Sequence, residues 1–244
     1  MIKHFLQLQK FVADLERSIL KVKSKSGKQT IIANKRLFTP HILNTFSHLD
    51  DIIKKSDMLK DGDTTTVVKS TLEEQPIVIK RYNTETLLDT FKQLIRVTRA
   101  YNAWFHAHWL LKNNIFTPKP LATVEIKKYW VIKKSYYIYE YLDLTPLEDI
   151  LFDQDLTEET LNAYGKKITA LFEACQKARI SHSDFKITNI YVYKENLCLI
   201  DLDHIRYHYF DWSLKRGLEK DKRRFLKNFK INVGLYEFFS ELLG

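Results

Sequence analysis

Glycine and proline are scarce in these 244 residues, at six and five, and no polar or repetitive tract interrupts the chain. A collagen-like repeat, a flexible linker and a long disordered tail are thereby excluded. Cysteine is scarcer still: Cys175 and Cys198 sit in apolar surroundings without the Cys/His spacing of a zinc site, so they read as buried thiols. No stretch approaches the roughly 20 apolar residues of a transmembrane helix. Met1-Ile2-Lys3-His4-Phe5-Leu6-Gln7 lacks the apolar core of a secretory signal, so a cytoplasmic protein is expected. Zinc-finger and RNP-like segments are missing as well, so no nucleic acid is expected as a partner. The formal charge of +9 instead favours other anions, such as nucleotides or acidic lipid.

Apolar content of 45% against 28% charged residues suffices for one large domain or two packed lobes. Residues 1–55 mix short apolar and basic runs; Leu6 to Leu20 reads as weakly helical or irregular and Pro40 to Ile53 as a short helix. From Met58 the pattern turns to β, with Thr64 to Lys69 and Ile77 to Lys80 flanking a turn at Glu73-Glu74-Gln75-Pro76. Thr84 to Asn114 lacks Gly and Pro and repeats apolar residues mostly at helical spacing (Leu87, Phe91, Leu94, Ile95, Val97, Trp104, Ala107, Leu111). Strand-like runs follow at Leu121 to Ile126 and Tyr129 to Tyr141, then a helix whose face is Leu161, Tyr164, Ile168, Leu171, Phe172 and Cys175, with Thr157 as its cap. Ile190 to Tyr193 and Leu197 to Ile200 flank Lys194-Glu195-Asn196 as a hairpin, and Asp211 to Gly244 reads as helical and basic.

Transfer of a phosphoryl group requires a residue that orients the attacking hydroxyl, oxygen ligands for Mg²⁺ and a cation on the phosphates. His182-Ser183-Asp184-Phe185-Lys186-Ile187-Thr188-Asn189 has the spacing of a kinase catalytic loop. In it Asp184 would receive or orient the hydroxyl, Asn189 would hold Mg²⁺ and Lys186 would steady the γ-phosphate of ATP. Asp201, at the end of the hairpin, stands where a kinase has its second metal ligand, with Leu202 and Asp203 in place of the usual Phe and Gly. Lys80 lies on a strand, and before it Asp61-Gly62-Asp63-Thr64-Thr65 occupies the place of a phosphate-covering loop, making Gly62, Thr64 and Thr65 candidates for nucleotide contact. Glu140 and Tyr141 are hinge candidates, where backbone groups would meet adenine. Each piece has a bland alternative: Asp-x-x-x-x-Asn recurs by chance, Ile-Lys is ordinary on a strand, and Asp201 could simply close one. Their order along the chain is what joins them. The expected architecture is α+β, a two-lobed protein-kinase-like fold: an extension over 1–57 packing on the N-lobe, a small β-rich N-lobe over 58–142, and a mainly helical C-lobe over 143–244.

With these motifs the chain resembles the lipopolysaccharide kinase family, the Kdo/WaaP group, from about Met58 to Phe229. Leu59-Lys60-Asp61-Gly62, Val78-Ile79-Lys80-Arg81-Tyr82-Asn83, Thr117-Pro118-Lys119-Pro120, Ser181 to Asn189, Leu199-Ile200-Asp201-Leu202-Asp203 and Asp221-Lys222-Arg223-Arg224-Phe225 carry the resemblance. It implies Lys80 on ATP phosphate, Asp184 as the catalytic Asp, and Asn189 and Asp201 on Mg²⁺. It also implies an acceptor, a Kdo or heptose hydroxyl of the lipid-linked core, phosphorylated at the inner face of the inner membrane.

Departures and alternatives bound that expectation. Thr90 to Val124 contains no Asp or Glu, so the usual acidic partner of the strand Lys is Glu85 or Asp89 if the helix starts early, and otherwise Lys80 leans on a neutral group. His106 and His108 read as packing or surface histidines, and the aromatics Tyr129, Trp130, Tyr136, Tyr137, Tyr139 and Tyr141 as sugar-stacking or sheet-filling residues. The last basic helix, with Lys215, Arg216, Lys222, Arg223, Arg224 and Lys227, is either a solvated face or a dock for anionic membrane lipid. A pseudokinase that holds nucleotide without turnover, and a kinase acting on protein, are the competing functions.

Overall fold

The N-terminal residues form more regular structure than their mixed composition announces. A helix over Ile2–Ser18 runs directly into strand β1 (Ile19–Lys23), which turns at Gly27 (φ +67°) into β2 (Gln29–Asn34). Neither strand was expected from the sequence. Two short helices follow, Pro40–Ser47 and Leu49–Lys55, where one was anticipated. Thr39 starts the first by accepting the Ile42 N–H (3.2 Å), with Pro40 in the position where its missing N–H costs nothing. The computed structural model describes residues 2–24, 26–37, 39–83, 97–128 and 131–244. The expected helical positions Leu87, Phe91, Leu94 and Ile95, the acids Glu85 and Asp89, and the aromatics Tyr129 and Trp130 lie outside the described residues.

Strands β3 (Asp57–Asp61), β4 (Thr65–Leu72), β5 (Gln75–Asn83), β6 (Pro120–Lys128) and β7 (Val131–Glu140) join the first two. Among the described residues this makes a seven-stranded sheet in the order β1-β2-β6-β7-β5-β4-β3, antiparallel throughout. Residues 6–108 and 118–141 make up this compact unit. Alternation along the strands sends Ile31, Ala33, Val68, Ile77, Ile79, Ala122, Val124 and Ile138 to one face, where Ile42, Phe46, Leu49 and Ile53 of the two short helices cover them. Burying each Val, Leu, Ile or Phe among them stabilises by about 1.5–3 kcal/mol. The helix Arg99–Lys112 begins beside Thr98, whose hydroxyl accepts the Tyr101 N–H at 3.2 Å and donates to Glu125 at 2.8 Å.

A polar clamp ties the covering helices to the sheet. Asp50 accepts from the Tyr136 hydroxyl at 2.9 Å, from the Lys134 ammonium at 2.6 Å and from Arg81 at 3.3 Å. Burial alone would raise the Asp50 pKa, but these donors and the Lys134 charge hold it below the ordinary value. Tyr136 is thus a sheet-filling residue, as are the stacked rings of Tyr137 and Tyr139.

The other unit comprises residues 1–5, 109–117 and 142–244. Its helices are Leu147–Leu151, Glu158–Lys177, Asp211–Leu226 and Val233–Leu243. Its strands are β8 (Thr145–Pro146), β9 (Ile180–Ser181), β10 (Ile190–Tyr193), β11 (Asn196–Leu199) and β12 (Arg206–Tyr207), in sheets ordered β11-β10-β8 and β12-β9. Thr157 caps the long helix as its sequence predicts, accepting the Thr160 N–H at 3.2 Å. Phe172, Phe185, Phe225, Phe229 and Phe239 pack ring to ring in the core of this unit, with centroids 4.5–6.3 Å apart. The expected α+β class is the one observed.

Candidate active site

The loop after β9 is held by its own sequence. Phe185 is 1% exposed, stacked on Phe172 at 4.5 Å and edge-on to Phe225. That anchor turns the residue before it, Asp184, outward. Ser183 takes φ +65°, a left-handed conformation that costs a non-glycine residue about 1–2 kcal/mol. Asp201 takes φ +60° and ψ +54° in the same way. Backbone strain of this kind concentrates at functional positions.

Around Asp184 the polar groups converge. Its Oδ1 meets Arg224 Nη1 at 2.8 Å and Lys186 Nζ at 3.1 Å, while Asn189 Nδ2 donates to its carbonyl at 2.9 Å and to Oδ2 at 3.3 Å. With its amide nitrogen on Asp184, Asn189 turns its side-chain oxygen the other way. The Ile200 N–H donates to the Asn189 carbonyl at 3.1 Å, which brings Asp201 to the same edge of the loop. Asn189 and Asp201 are hard oxygen donors, the chemistry Mg²⁺ takes, so both fit the metal role expected of them. Among the described residues no cluster of three or more His, Cys, Asp or Glu forms a metal cage. An ion on this pair would complete its shell from phosphate and water.

His182 is buried rather than presented to a substrate. Its Nε2–H donates to the Ile200 carbonyl at 3.0 Å, and burial lowers its pKa, keeping the ring neutral. It thereby links the Asp184 loop to the segment that carries Asp201.

Two functional neighbours escaped the sequence reading of the last basic helix. Asp221, 2% exposed, accepts the backbone N–H groups of His182 (2.6 Å) and Ser183 (2.9 Å). Burial pushes its carboxyl up to about 6, against the lowering effect of those two bonds and of Arg224. Arg224 reaches both the Ser183 carbonyl and the Asp184 carboxylate. The available signal was periodic: Leu214, Leu218 and Phe225 mark the buried stripe of this helix, and Asp221 lies on it. An acid on the apolar stripe of a basic helix needs buried donors. The same helix divides its basic run: Lys222 is half-buried and engages the carbonyls of Leu243 and Gly244, Arg224 engages Asp184 while its side chain stays 45% exposed, and Lys215, Arg216, Arg223 and Lys227 are exposed. Leu214, Leu218, Phe225 and Phe229 are core residues, while Trp212 is 68% exposed.

The remaining candidates lie in the sheet unit. Lys80 is half-buried on β5, opposite Val67 and Tyr137 in register, and alternation sets it on the face away from Ile77 and Ile79; its ammonium lies 5.1 Å from the centre of the Tyr82 ring. Gly62 and Thr65 exchange backbone hydrogen bonds (3.0 and 3.2 Å), closing a tight turn whose two outer N–H groups are already used. Of that loop, only Asp63 and Thr64 could offer amides to a phosphate. The Glu140 N–H donates to the Lys119 carbonyl and the Tyr141 N–H to the Pro76 carbonyl, so the expected hinge donors at these two positions are committed to the sheet. His106 is buried, and His108 lies edge-on to Trp104 at 4.6 Å with its pKa lowered to about 4 by burial. Both are packing residues.

An antiparallel sheet unit preceding a helical unit with a His-x-Asp loop, an Asn and a strand-end Asp defines a protein-kinase-like phosphotransferase. Residues 60–235 match the model of the Lipopolysaccharide kinase (Kdo/WaaP) family, and the chain belongs to that family; it is a phosphotransferase of lipopolysaccharide. No curated protein matches the sequence. Among solved structures, WaaP in complex with acyl carrier protein is similar over 91% of this chain and 88% of that one, with a TM-score of 0.60 and 16% identity, a likeness of fold.

Proposed function

We propose that this chain transfers the γ-phosphate of ATP to a Kdo or heptose hydroxyl of the lipid-linked lipopolysaccharide core. The observation that carries the reading is the fixed Asp184 carboxylate, held by Arg224, Lys186 and Asn189 on a loop anchored by Asp221 and Phe185. Asp184 orients the acceptor hydroxyl and takes its proton as the oxygen–phosphorus bond forms and the bond from the γ-phosphorus to the bridging oxygen breaks, releasing ADP. Lys186, 48% exposed, neutralises charge on the transferred group. Asn189 and Asp201 hold Mg²⁺, which when bound offsets the charge of the phosphates. Lys80 binds ATP phosphate, with Gly62, Thr64 and Thr65 beside it through contacts other than the two paired amides; Glu140 and Tyr141 flank adenine.

We assign the enzyme to the cytoplasmic face of the inner membrane, where Lys215, Arg216, Arg223 and Lys227 meet anionic lipid at about 1 kcal/mol per cation near the surface. No helix among the described residues is long and apolar enough to cross a membrane. The exposed, stacked rings of Phe210 and Trp212 beside Lys215 and Arg216 suit an interfacial contact.

The test is transfer of radiolabel from ATP to purified lipid-linked core. Wild-type protein should label the lipid extract, and Asp184→Ala should reduce labelling on the order of 10³-fold. Label in the protein pellet instead would make the acceptor a protein. A nucleotide-induced thermal shift without ATP consumption in the presence of core lipid would make the chain a nucleotide-holding module.

A further inference from the structure

The helix Asp211–Leu226 grips the Asp184 loop at successive polar groups. Asp221 takes the N–H groups of His182 and Ser183; one turn later Arg224 takes the Ser183 carbonyl and Oδ1 of Asp184. Lys186 also touches Oδ1, at 3.1 Å, but it belongs to the loop and would move with it. Arg224 comes from outside the loop, on a helix seated in the core by Leu214, Leu218 and Phe225. With both cations on Oδ1, the one partner of Oδ2 among the described residues is the Asn189 amide, at 3.3 Å.

We propose that Arg224 is a positioning residue for the phosphoryl transfer: it immobilises Oδ1 of Asp184 and so fixes Oδ2 as the oxygen that faces the acceptor hydroxyl. The inference rests on the reading of Asp184 as the group that handles the acceptor proton. An ion pair with Arg224 45% and Asp184 20% exposed contributes little to folding. Its fixed geometry matters for reaction, because displacing a reacting group by about 1 Å can cost about 10²-fold in rate. Both contacts come from one nitrogen at the end of a planar, pre-organised guanidinium; an ammonium can donate twice as well, but on a shorter and more flexible stem that does not hold that position, so it should substitute only in part.

The experiment measures steady-state transfer to lipid-linked core by the full chain carrying Arg224→Ala, Arg224→Lys, Asp184→Ala or Lys220→Gln. Arg224→Ala should lower kcat about 10²-fold with KM for ATP and melting temperature unchanged, Arg224→Lys should fall between it and wild type, and free guanidinium should restore part of the lost kcat. Lys220→Gln, which removes a cation elsewhere on the same helix, should behave as wild type. Wild-type kcat in Arg224→Ala beside an inactive Asp184→Ala overturns this proposal alone; turnover in Asp184→Ala overturns the reading beneath it. A rise in KM for the core with kcat preserved would make Arg224 an acceptor-binding group and also defeat the proposal. If Arg224→Ala fails to fold, Arg224→Lys decides: a folded protein with full kcat refutes the role.

Discussion

Asp50 and Asp221 are both half-hidden in the logic of a helix and a neighbouring segment, yet they solve opposite problems. Asp50, 34% exposed on its side chain, meets two cations and a phenol, and those donors lower its pKa. Asp221 is 2% exposed and meets two backbone amides, and burial wins, raising its pKa to about 6. The first arrangement fastens a cover onto a sheet. The second holds a strained loop at an electrostatic cost to the fold, which is how a functional site differs from a structural clamp.

Removing Asp221 should have the largest effect. Asp221→Ala strands two buried N–H groups at about 1–3 kcal/mol each, and the freed Ser183 and Asp184 should lower kcat by about 10²-fold or more. Asp221→Asn separates the two roles. Because the folded-state pKa of Asp221 lies above the ordinary 3.8, the native protein keeps a proton that the unfolded chain releases. The stabilisation is therefore present at low pH and lost as pH rises through about 6. The Asn variant has no such dependence, so its stability deficit relative to wild type should shrink by on the order of 1 kcal/mol between about pH 5 and about pH 8. Urea melts at both pH values check this, while kcat stays low at both. A deficit that grows with pH would contradict the assigned electrostatics.

Asp50→Ala should cost about 2 kcal/mol by leaving Lys134, Arg81 and Tyr136 without their shared acceptor. Its pH dependence has the opposite sign. With the folded-state pKa lowered, the contribution of Asp50 is complete above the ordinary 3.8 and is lost as pH falls through the lower folded value. Denaturant melts should show the loss at neutral pH, with kcat per folded molecule unchanged. A large fall in kcat would erase the contrast with Asp221.

The contrast was only partly legible in the sequence. The Asp184 loop, the β10–β11 hairpin ending at Asp201 and the Thr157-capped helix could be read because their signals are local: a fixed spacing, a period of two, a cap before a periodic stripe. Strand β1 could not, since its Ile19-Leu20-Lys21-Val22-Lys23 run follows a helix without a break and buries little. Asp50 was silent because Lys134 and Tyr136 arrive from a distant strand. Asp221 and Arg224 were silent for the same reason, since the loop groups they hold lie about forty residues earlier in the chain. At Gly62 an added Cβ would meet Thr65 O at 3.5 Å, an ordinary contact, so the turn itself does not demand glycine.

Scarce glycine leaves a final and smaller test, one in each unit. The β4–β5 and β10–β11 hairpins both turn on two residues with positive φ, Glu73 (+48°) and Glu74 (+68°) in one, Lys194 (+46°) and Glu195 (+70°) in the other. Positive φ at both central residues is the type I′ pattern, which favours glycine at the second position. Glu74→Gly should therefore stabilise by about 0.5–1 kcal/mol, the relief of left-handed strain less the added entropy of the unfolded glycine. Glu195→Gly relieves the same strain but removes the 3.0 Å ion pair with Lys167, whose Glu195 side is 86% exposed. Such pairs contribute about 0.2–1 kcal/mol, so the second gain should be smaller than the first. Melting curves of the two variants thus measure the Lys167–Glu195 pair by difference, and equal gains would assign it no stabilising role.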